Sequence, residues 1–327
     1  MALSDSFGRT HDYLRISLTD RCNLRCLYCM PHNDMQFMPS AKLMSATEIF
    51  ELAQIFVDLG VNKIRLTGGE PLMRKDAGTI IESLASLPVK LTMTTNGFFL
   101  DQYFDLLTRS GVTSLNISLD TLYESRFAVM SQRDHFNHIW KNILKAVELG
   151  FHTKINVVVI KGQNEEEIND FVRLTREMPL HVRFIEFMPF AENKWKLDQT
   201  VSYQQILERV ESELEFHKIP DAKNDTARNF QLPGARGTFA VISSVTNPFC
   251  DTCNRIRLTA DGKIKNCLFA QTETDLLSAH RSGEDVKQLI ENNIFRKAKA
   301  RGGLPEFRDK TAADAFSKNR SMISIGG

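Results

Sequence analysis

The sequence lacks any apolar run near the roughly 18 residues that a membrane span requires, and its N-terminal stretch carries no basic-then-apolar leader pattern. A charge excess is missing too. Lys and Arg number 41 against 40 Asp and Glu, a net charge of +1, so the chain as a whole offers nothing to nucleic acid or an anionic membrane. Any anion site must be local. The cytosol is the expected compartment, with neither nucleic acid nor membrane among the partners. Stray thiols are also absent, because the six cysteines fall into two triplets with none left over. In a cytosolic chain this argues against a disulfide framework and for metal or catalytic use.

What is present suffices for a packed core: 327 residues, 42% hydrophobic and 25% charged, enough for one large α/β barrel or two smaller domains. The first triplet, Cys22, Cys26 and Cys29, forms a C-x3-C-x2-C run directly after a strand-like segment. One short loop at that spacing wraps three corners of an iron–sulfur cube and leaves one iron free, whereas structural zinc closes with four ligands. The second triplet, Cys250, Cys253 and Cys267, reads C-x2-C-x13-C, with an Asp261-Gly262 turn that folds Cys267 back towards the other two. Zinc with a distant fourth ligand such as His280 and a second cluster with an open iron both remain open on the cysteines alone.

Between the triplets, strand-like and helix-like segments alternate in six units, which implies parallel strands joined by crossover helices. The strands are expected at Tyr13–Thr19, Lys63–Thr67, Lys90–Thr95, Ser114–Asp120, Lys154–Ile160 and His181–Phe187. Helices are expected at Thr47–Leu59, Ala77–Leu87, Gln102–Ser110, Phe136–Leu149, Glu165–Glu177 and Tyr203–Leu214. One face of nearly every strand is polar: Arg15, Ser17 and Thr19; Lys63, Arg65 and Thr67; Thr92 and Thr94; Asn116, Ser118 and Asp120; Lys154 and Asn156; His181 and Arg183. The apolar face must pack on the helices, so the polar face looks into a lumen. Unpaired buried cations there cost several kcal/mol each, and the lumen should therefore hold a polyanion. A solvated half-exposed sheet is the alternative, disfavoured because crossover helices normally cover both faces.

Thr67-Gly68-Gly69-Glu70-Pro71 and Thr94-Thr95-Asn96-Gly97 follow two of these strands, at the end where such folds place chemistry. Both also read as plain turns. From Pro220 to Gly237 the composition shifts to Pro, Gly, Asn and Asp, as in a linker, which divides the chain into residues 1–219 and 220–327. Thr238–Val245 is strand-like beyond it. Arg255 and Arg257 share a strand face suited to phosphate or carboxylate. The terminal Gly326-Gly327 reads as a frayed end or as a thin tail able to enter a crowded pocket.

These motifs resemble those of the radical S-adenosylmethionine (SAM) enzymes. The Tyr13-Leu14-Arg15 lead-in, Phe184-Ile185-Glu186-Phe187-Met188, Cys-x2-Cys-Asn-Arg-Ile-Arg with Cys267 and the Gly-Gly end narrow the resemblance to the GTP 3′,8-cyclases of molybdenum cofactor biosynthesis. It implies an α/β fold, an incomplete six-unit TIM-like barrel with a C-terminal cluster-binding extension closing its open side. It also implies two [4Fe–4S] clusters, on Cys22, Cys26 and Cys29 and on Cys250, Cys253 and Cys267. Tyr28, Gly69, Ser118 and Met188 would contact SAM. Arg15, Arg65, Thr94, Lys154, Arg255 and Arg257 would line the GTP site, with Lys63 and Arg183 as additions and Gly326 and Gly327 as an assisting tail. No side chain would serve as acid or base. SAM would yield the radical that takes hydrogen from C3′ of GTP, and the carbon radical would add to C8. An electron donor such as a flavodoxin or ferredoxin, a downstream cyclic pyranopterin monophosphate synthase and a homodimer complete the implied partners. A radical SAM peptide modifier and a non-catalytic metal-binding sensor are the competing readings.

Overall fold

Alternating branched apolar and polar residues build the first six strands, because only a pleated ribbon sends successive side chains to opposite faces. The computed structural model describes residues 2–30, 35–191, 193–307, 315–316 and 318–326. In it β1 (Tyr13–Ser17), β2 (Lys63–Thr67), β3 (Lys90–Thr95), β4 (Ser114–Ser118), β5 (His152–Val159) and β6 (His181–Glu186) lie side by side in chain order. All five pairings between them are parallel. Seven helices belong to these units: α1 (Ala46–Asp58), α2 (Ala77–Ala85), α3 (Phe104–Arg109), α4 (Glu124–Ser131), α5 (Phe136–Glu148), α6 (Ile168–Glu177) and α7 (Tyr203–Glu211). Their apolar faces bury Leu14, Ile16, Ile64, Leu66, Ile117, Ile155 and Phe184 of the sheet in one core. Ser45 and Glu48 close a capping box on α1, as their spacing predicts.

Later strands extend both edges. On one side β9 (Thr238–Ile242) runs parallel to β6 and carries β8 (Arg228–Gln231) and β7 (His217–Lys218) antiparallel beyond it. On the other, β10 (Arg255–Leu258) runs parallel to β1, followed by β11 (Lys263–Lys265) and β12 (Thr274–Asp275). Among the described residues the result is one open sheet of 12 strands. Among the described residues two helices follow, α8 (Leu276–Ser282) and α9 (Val286–Phe295), and then a helical turn at Met322–Ile325.

Some boundaries differ from the sequence expectation. The first strand stops at Ser17 because Thr19 already accepts a hydrogen bond from Gly69 (2.7 Å). Helix α4 was not expected, and within the stretch read as a linker β8 forms, where Phe230 stacks 5.4 Å from Phe239. A second apolar cluster, Phe190, Val245, Phe269, Phe307, Phe316 and Ile325, anchors the C-terminal turn.

Candidate active site in a cavity between two cysteine triplets

Parallel pairing of β1 with β10 sets Tyr13 opposite Arg255 and Arg15 opposite Arg257. The first triplet lies beyond the C-terminal end of β1, and Cys253 lies just before β10, at the opposite end. Four residues of strand span about 13 Å, so the triplets flank a length of lumen. Gly262 takes the left-handed conformation (φ +70°) in the β10–β11 hairpin, which returns Cys267 to the level of Arg255. His280 is elsewhere, bonded to Glu51 (2.7 Å), so the imagined fourth zinc ligand is committed to another partner.

One cavity of about 600 Å³ is lined by all six cysteines and by Tyr28, Gly69, Ser118 and Met188. The same cavity takes Arg15, Lys63, Arg65, Thr94, Lys154, Arg183, Arg255 and Arg257. Every cation expected to face the lumen therefore does so. Neighbouring side chains hold several of them in place. Arg65 donates to the Tyr13 hydroxyl and to Met93 O (2.9 Å), Arg183 donates to Asn156 Oδ1 (2.9 Å), and Lys63 Nζ lies 4.4 Å from the Tyr13 ring centroid. Burial, then the charges of Arg183, Arg65 and Lys63, push the Lys154 ammonium down to about 8. For Tyr13 burial works upward, but Arg65, Arg15 and Lys63 prevail and bring its phenol down to about 7. Such crowding of like charge suits a bound polyanion.

Burial pushes the thiols of the first triplet and Cys250 upward, and Cys253 stands apart from them. Burial, then Asp120 and the neighbouring thiols, raises Cys26 well above the ordinary thiol value, and burial with Cys22 and Asp120 takes Cys29 to about 12. Burial and Glu70 bring Cys22 to about 11. Cys253 moves the other way: burial opposes, yet Arg255 and Lys297 carry it down to about 6. Among the described residues no three His, Cys, Asp or Glu side chains gather around one ion-sized point. A cluster with its own sulfides spreads its ligands farther apart, and two sets of three soft thiolate donors facing one space fit that group.

Gly68 and Gly69 allow a close approach, but the partner is the cysteine loop itself. A Cβ on Gly69 would meet the Arg21 carbonyl and lie 2.9 Å from Asp20 O. Glu70 then ties this loop to β3, accepting from Thr95 Oγ1 (2.8 Å) and Asn96 N (2.7 Å). At the other end of the chain, Arg257 donates to Gly326 O, and a Cβ on Gly326 would collide with Thr67. The tail thus reaches the lumen wall, with Met322 and Ile323 lining the cavity. Gly327 lies outside the described residues.

Sequence reasoning did not single out Tyr13, Asn96, Asn116, Asp120 or Asn156 as site residues, although all line the cavity. Apart from Asn96, which follows β3 in a turn motif, each sits on the polar alternation of a strand or just past its end. Asp120 accepts from the Tyr28 hydroxyl (2.8 Å) and from Val158 N (2.8 Å). Residues 223–226 also line the cavity, out of the stretch read as a linker.

Comparison with known proteins places these features. Residues 16–175 match the family description "Radical SAM superfamily" and residues 180–302 match "Molybdenum Cofactor Synthesis C". The GTP 3′,8-cyclase of Listeria monocytogenes is 40% identical over 99% of both chains, and the mitochondrial GTP 3′,8-cyclase of Arabidopsis thaliana is 45% identical over 99% of this chain and 83% of its own. Human molybdenum cofactor biosynthesis protein 1 is 43% identical over 99% of this chain but 51% of its own length. The chain therefore spans about half the length of the animal relatives it matches. Among solved structures, Streptococcus suis SuiB bound to S-adenosylmethionine shares the fold with a TM-score of 0.65 at 18% identity, over 92% of this chain and 69% of that one.

Proposed function

From a chain that belongs to the radical SAM superfamily and, within it, to the GTP 3′,8-cyclase family, we propose catalysis of the first step of molybdenum cofactor biosynthesis. The reaction converts GTP to (8S)-3′,8-cyclo-7,8-dihydroguanosine 5′-triphosphate. The observation that carries this reading is the cationic lumen set between two thiol triplets. Members of the superfamily use a [4Fe–4S] cluster and SAM, and when bound these groups supply one-electron cleavage of SAM to a hydrogen-abstracting radical.

The chain's own residues hold, orient and shield. Cys22, Cys26 and Cys29 would carry the cluster that SAM joins, with Tyr28, Gly69, Ser118 and Met188 contacting SAM. Cys250, Cys253 and Cys267 would carry a second cluster beside the base. Arg15, Arg65, Thr94, Lys154, Arg255 and Arg257, with Lys63 and Arg183, would fix the triphosphate, so that the ribose stays near the reacting carbon. Gly326 and Gly327 would form a tail that enters the active site and assists a step after GTP binds. The division at residues 219 and 220, a flavodoxin-like or ferredoxin-like electron donor, delivery of product to a cyclic pyranopterin monophosphate synthase, a homodimer and a cytosolic location belong to the same reading. Among the described residues no helix is long and apolar enough to cross a membrane.

Likeness to SuiB shows the fold alone and does not favour a peptide substrate, whereas the eight lysines and arginines lining one cavity favour a triphosphate. Anaerobic incubation of iron-replete protein with SAM, reductant and GTP should give the cyclised triphosphate and 5′-deoxyadenosine together. 5′-Deoxyadenosine without a GTP-derived product, both clusters being intact, would refute the assignment.

A further inference from the structure

Two residues of the N-terminal arm and one lysine nearly 300 residues later meet behind the second triplet. Lys297, at the end of α9, is 3% exposed, His11 is fully buried and Asp5 is 5% exposed. The lysine has three protons to donate and three acceptors to receive them: Cys253 Sγ at 3.3 Å, Arg255 O at 3.0 Å and His11 Nδ1 at 3.4 Å. Since Nδ1 accepts, the imidazole is the neutral Nε2–H tautomer, and that proton goes to Asp5 Oδ2 at 3.0 Å. Asp5 is fixed in turn by Arg9 Nε (2.6 Å) and by the backbone N–H groups of Phe7 and Arg9. Arg9 also donates to Cys250 O (2.8 Å) and Ala298 O (2.9 Å), so one N-terminal arm braces both the lysine's segment and the cysteine loop.

Among the described residues no cation donates to a thiol of the first triplet, Arg25 reaching the Cys22 carbonyl instead. There Cys22 receives the neutral amide of Asn96 (3.6 Å) and the Leu24 backbone N–H, and beside the buried Asp20 stand two further buried carboxyl groups, Asp120 and Glu70. Both accept from donors alone. Hydrogen bonds to cluster sulfurs and the net charge around a cluster set its reduction potential.

We propose that Lys297, held by His11 and Asp5, is a fixed cation on the Cys253 sulfur that raises the reduction potential of the second cluster above that of the first. It is a positioning and tuning residue that touches a ligand and not the substrate. The difference leaves the first cluster the stronger reductant, as SAM cleavage demands. The inference rests on the two-cluster reading.

The test is a potentiometric titration followed by electron paramagnetic resonance of reconstituted protein, in the full enzyme and in a background with Cys22, Cys26 and Cys29 replaced by alanine, after iron and sulfide analysis. With Lys297→Met, the reduced-to-oxidised ratio of the second cluster at fixed potential should fall about tenfold, equivalent to about 59 mV for one electron, while the first cluster stays where it was. Lys297→Arg should restore the wild-type ratio, and His11→Phe should shift it in the same direction by less. A filled second cluster whose midpoint ignores Lys297→Met overturns the inference. Should that variant shed the cluster, Lys297→Arg decides: retention at the wild-type midpoint upholds the inference, and failure to retain it in folded protein overturns it. Wild type whose second triplet takes up no iron refutes instead the two-cluster reading.

Discussion

Gly69→Ala isolates the contact between the Gly-Gly loop and the cysteine loop. The added methyl would press on the Arg21 carbonyl and come within 2.9 Å of Asp20 O, both backbone atoms with nowhere to swing. Relief requires the loops to part, which breaks the bonds from Gly69 N to Thr19 O (2.7 Å) and from Glu70 N to Arg21 O (2.8 Å). Two net hydrogen bonds at about 1 kcal/mol each and overpacking of about 1–3 kcal/mol sum to about 3–5 kcal/mol. A domain stable by about 5–15 kcal/mol stays folded at that cost, but the displaced segment adjoins Cys22. Iron content should therefore fall towards one cluster per chain, and SAM cleavage without GTP should be lost, while the second cluster's signal persists. Gly111→Ala is the control: its φ of +67° strains a side chain, yet nothing lies within 4 Å, so it should lower the melting temperature with both clusters full. Gly69→Ala with full iron, wild-type SAM cleavage and a melt no lower than the control's would refute the reasoning.

Tyr13 should titrate with a pKa about 7, seen as an ultraviolet difference band lost in Tyr13→Phe. This is an acid depressed in the folded state from an ordinary value of 10.0, so its ionisation adds stability that is fully present above about 10 and lost as pH falls through about 7; absence of any tyrosine titrating below pH 9 would count against it. Arg257→Ala removes a buried guanidinium from the cavity wall. One charge-assisted contact is worth about 1.5–3 kcal/mol, so equilibrium dialysis should show GTP bound about ten- to a hundredfold more weakly and guanosine little changed, whereas equal losses for both would place the arginine away from the phosphates.

The six parallel strands were legible because period-two alternation is a backbone property that survives any tertiary setting. Their ends were not, because termination is decided by partners far away. The strand expected to run to Asp120 stops at Ser118, where the Asp120 carboxylate takes the Val158 N–H (2.8 Å). Helix α4 escaped notice since Glu124, Ser125 and Arg126 open it without an apolar stripe, and β8 hid in a stretch whose Pro, Asn and Gly content reads as a loop. Among site residues the cysteines showed through spacing and the cations through alternation. Lys297 left no such trace, lying just past a helix end 44 residues from the thiol it reaches, and the Gly-Gly loop signalled a close approach to a bound ligand, whereas the backbone it meets is that of the cysteine loop.

Register explains why the lumen's charge had to be read as a ligand site and not as an ordinary sheet face. Pairing puts Arg257, Arg15 and Arg65 in one row across β10, β1 and β2, and Arg255, Tyr13, Lys63 and Lys90 in the next. Like charges directly opposite one another weaken a sheet, and burial removes the water that would screen them. Segments more than 200 residues apart in sequence supply that row, β10 at one end of the parallel run and β1 and β2 beside it. A sheet selected for stability alone would break such a row with a neutral residue, as Thr92 does opposite Arg65. The three arginines left in line stand on neighbouring strands roughly 4.8 Å apart, a row that supports the proposed triphosphate site. This is why the C-terminal strands join β1 in parallel: any other register would separate Arg257 from Arg15 and carry the second thiol triplet away from the base it is proposed to meet.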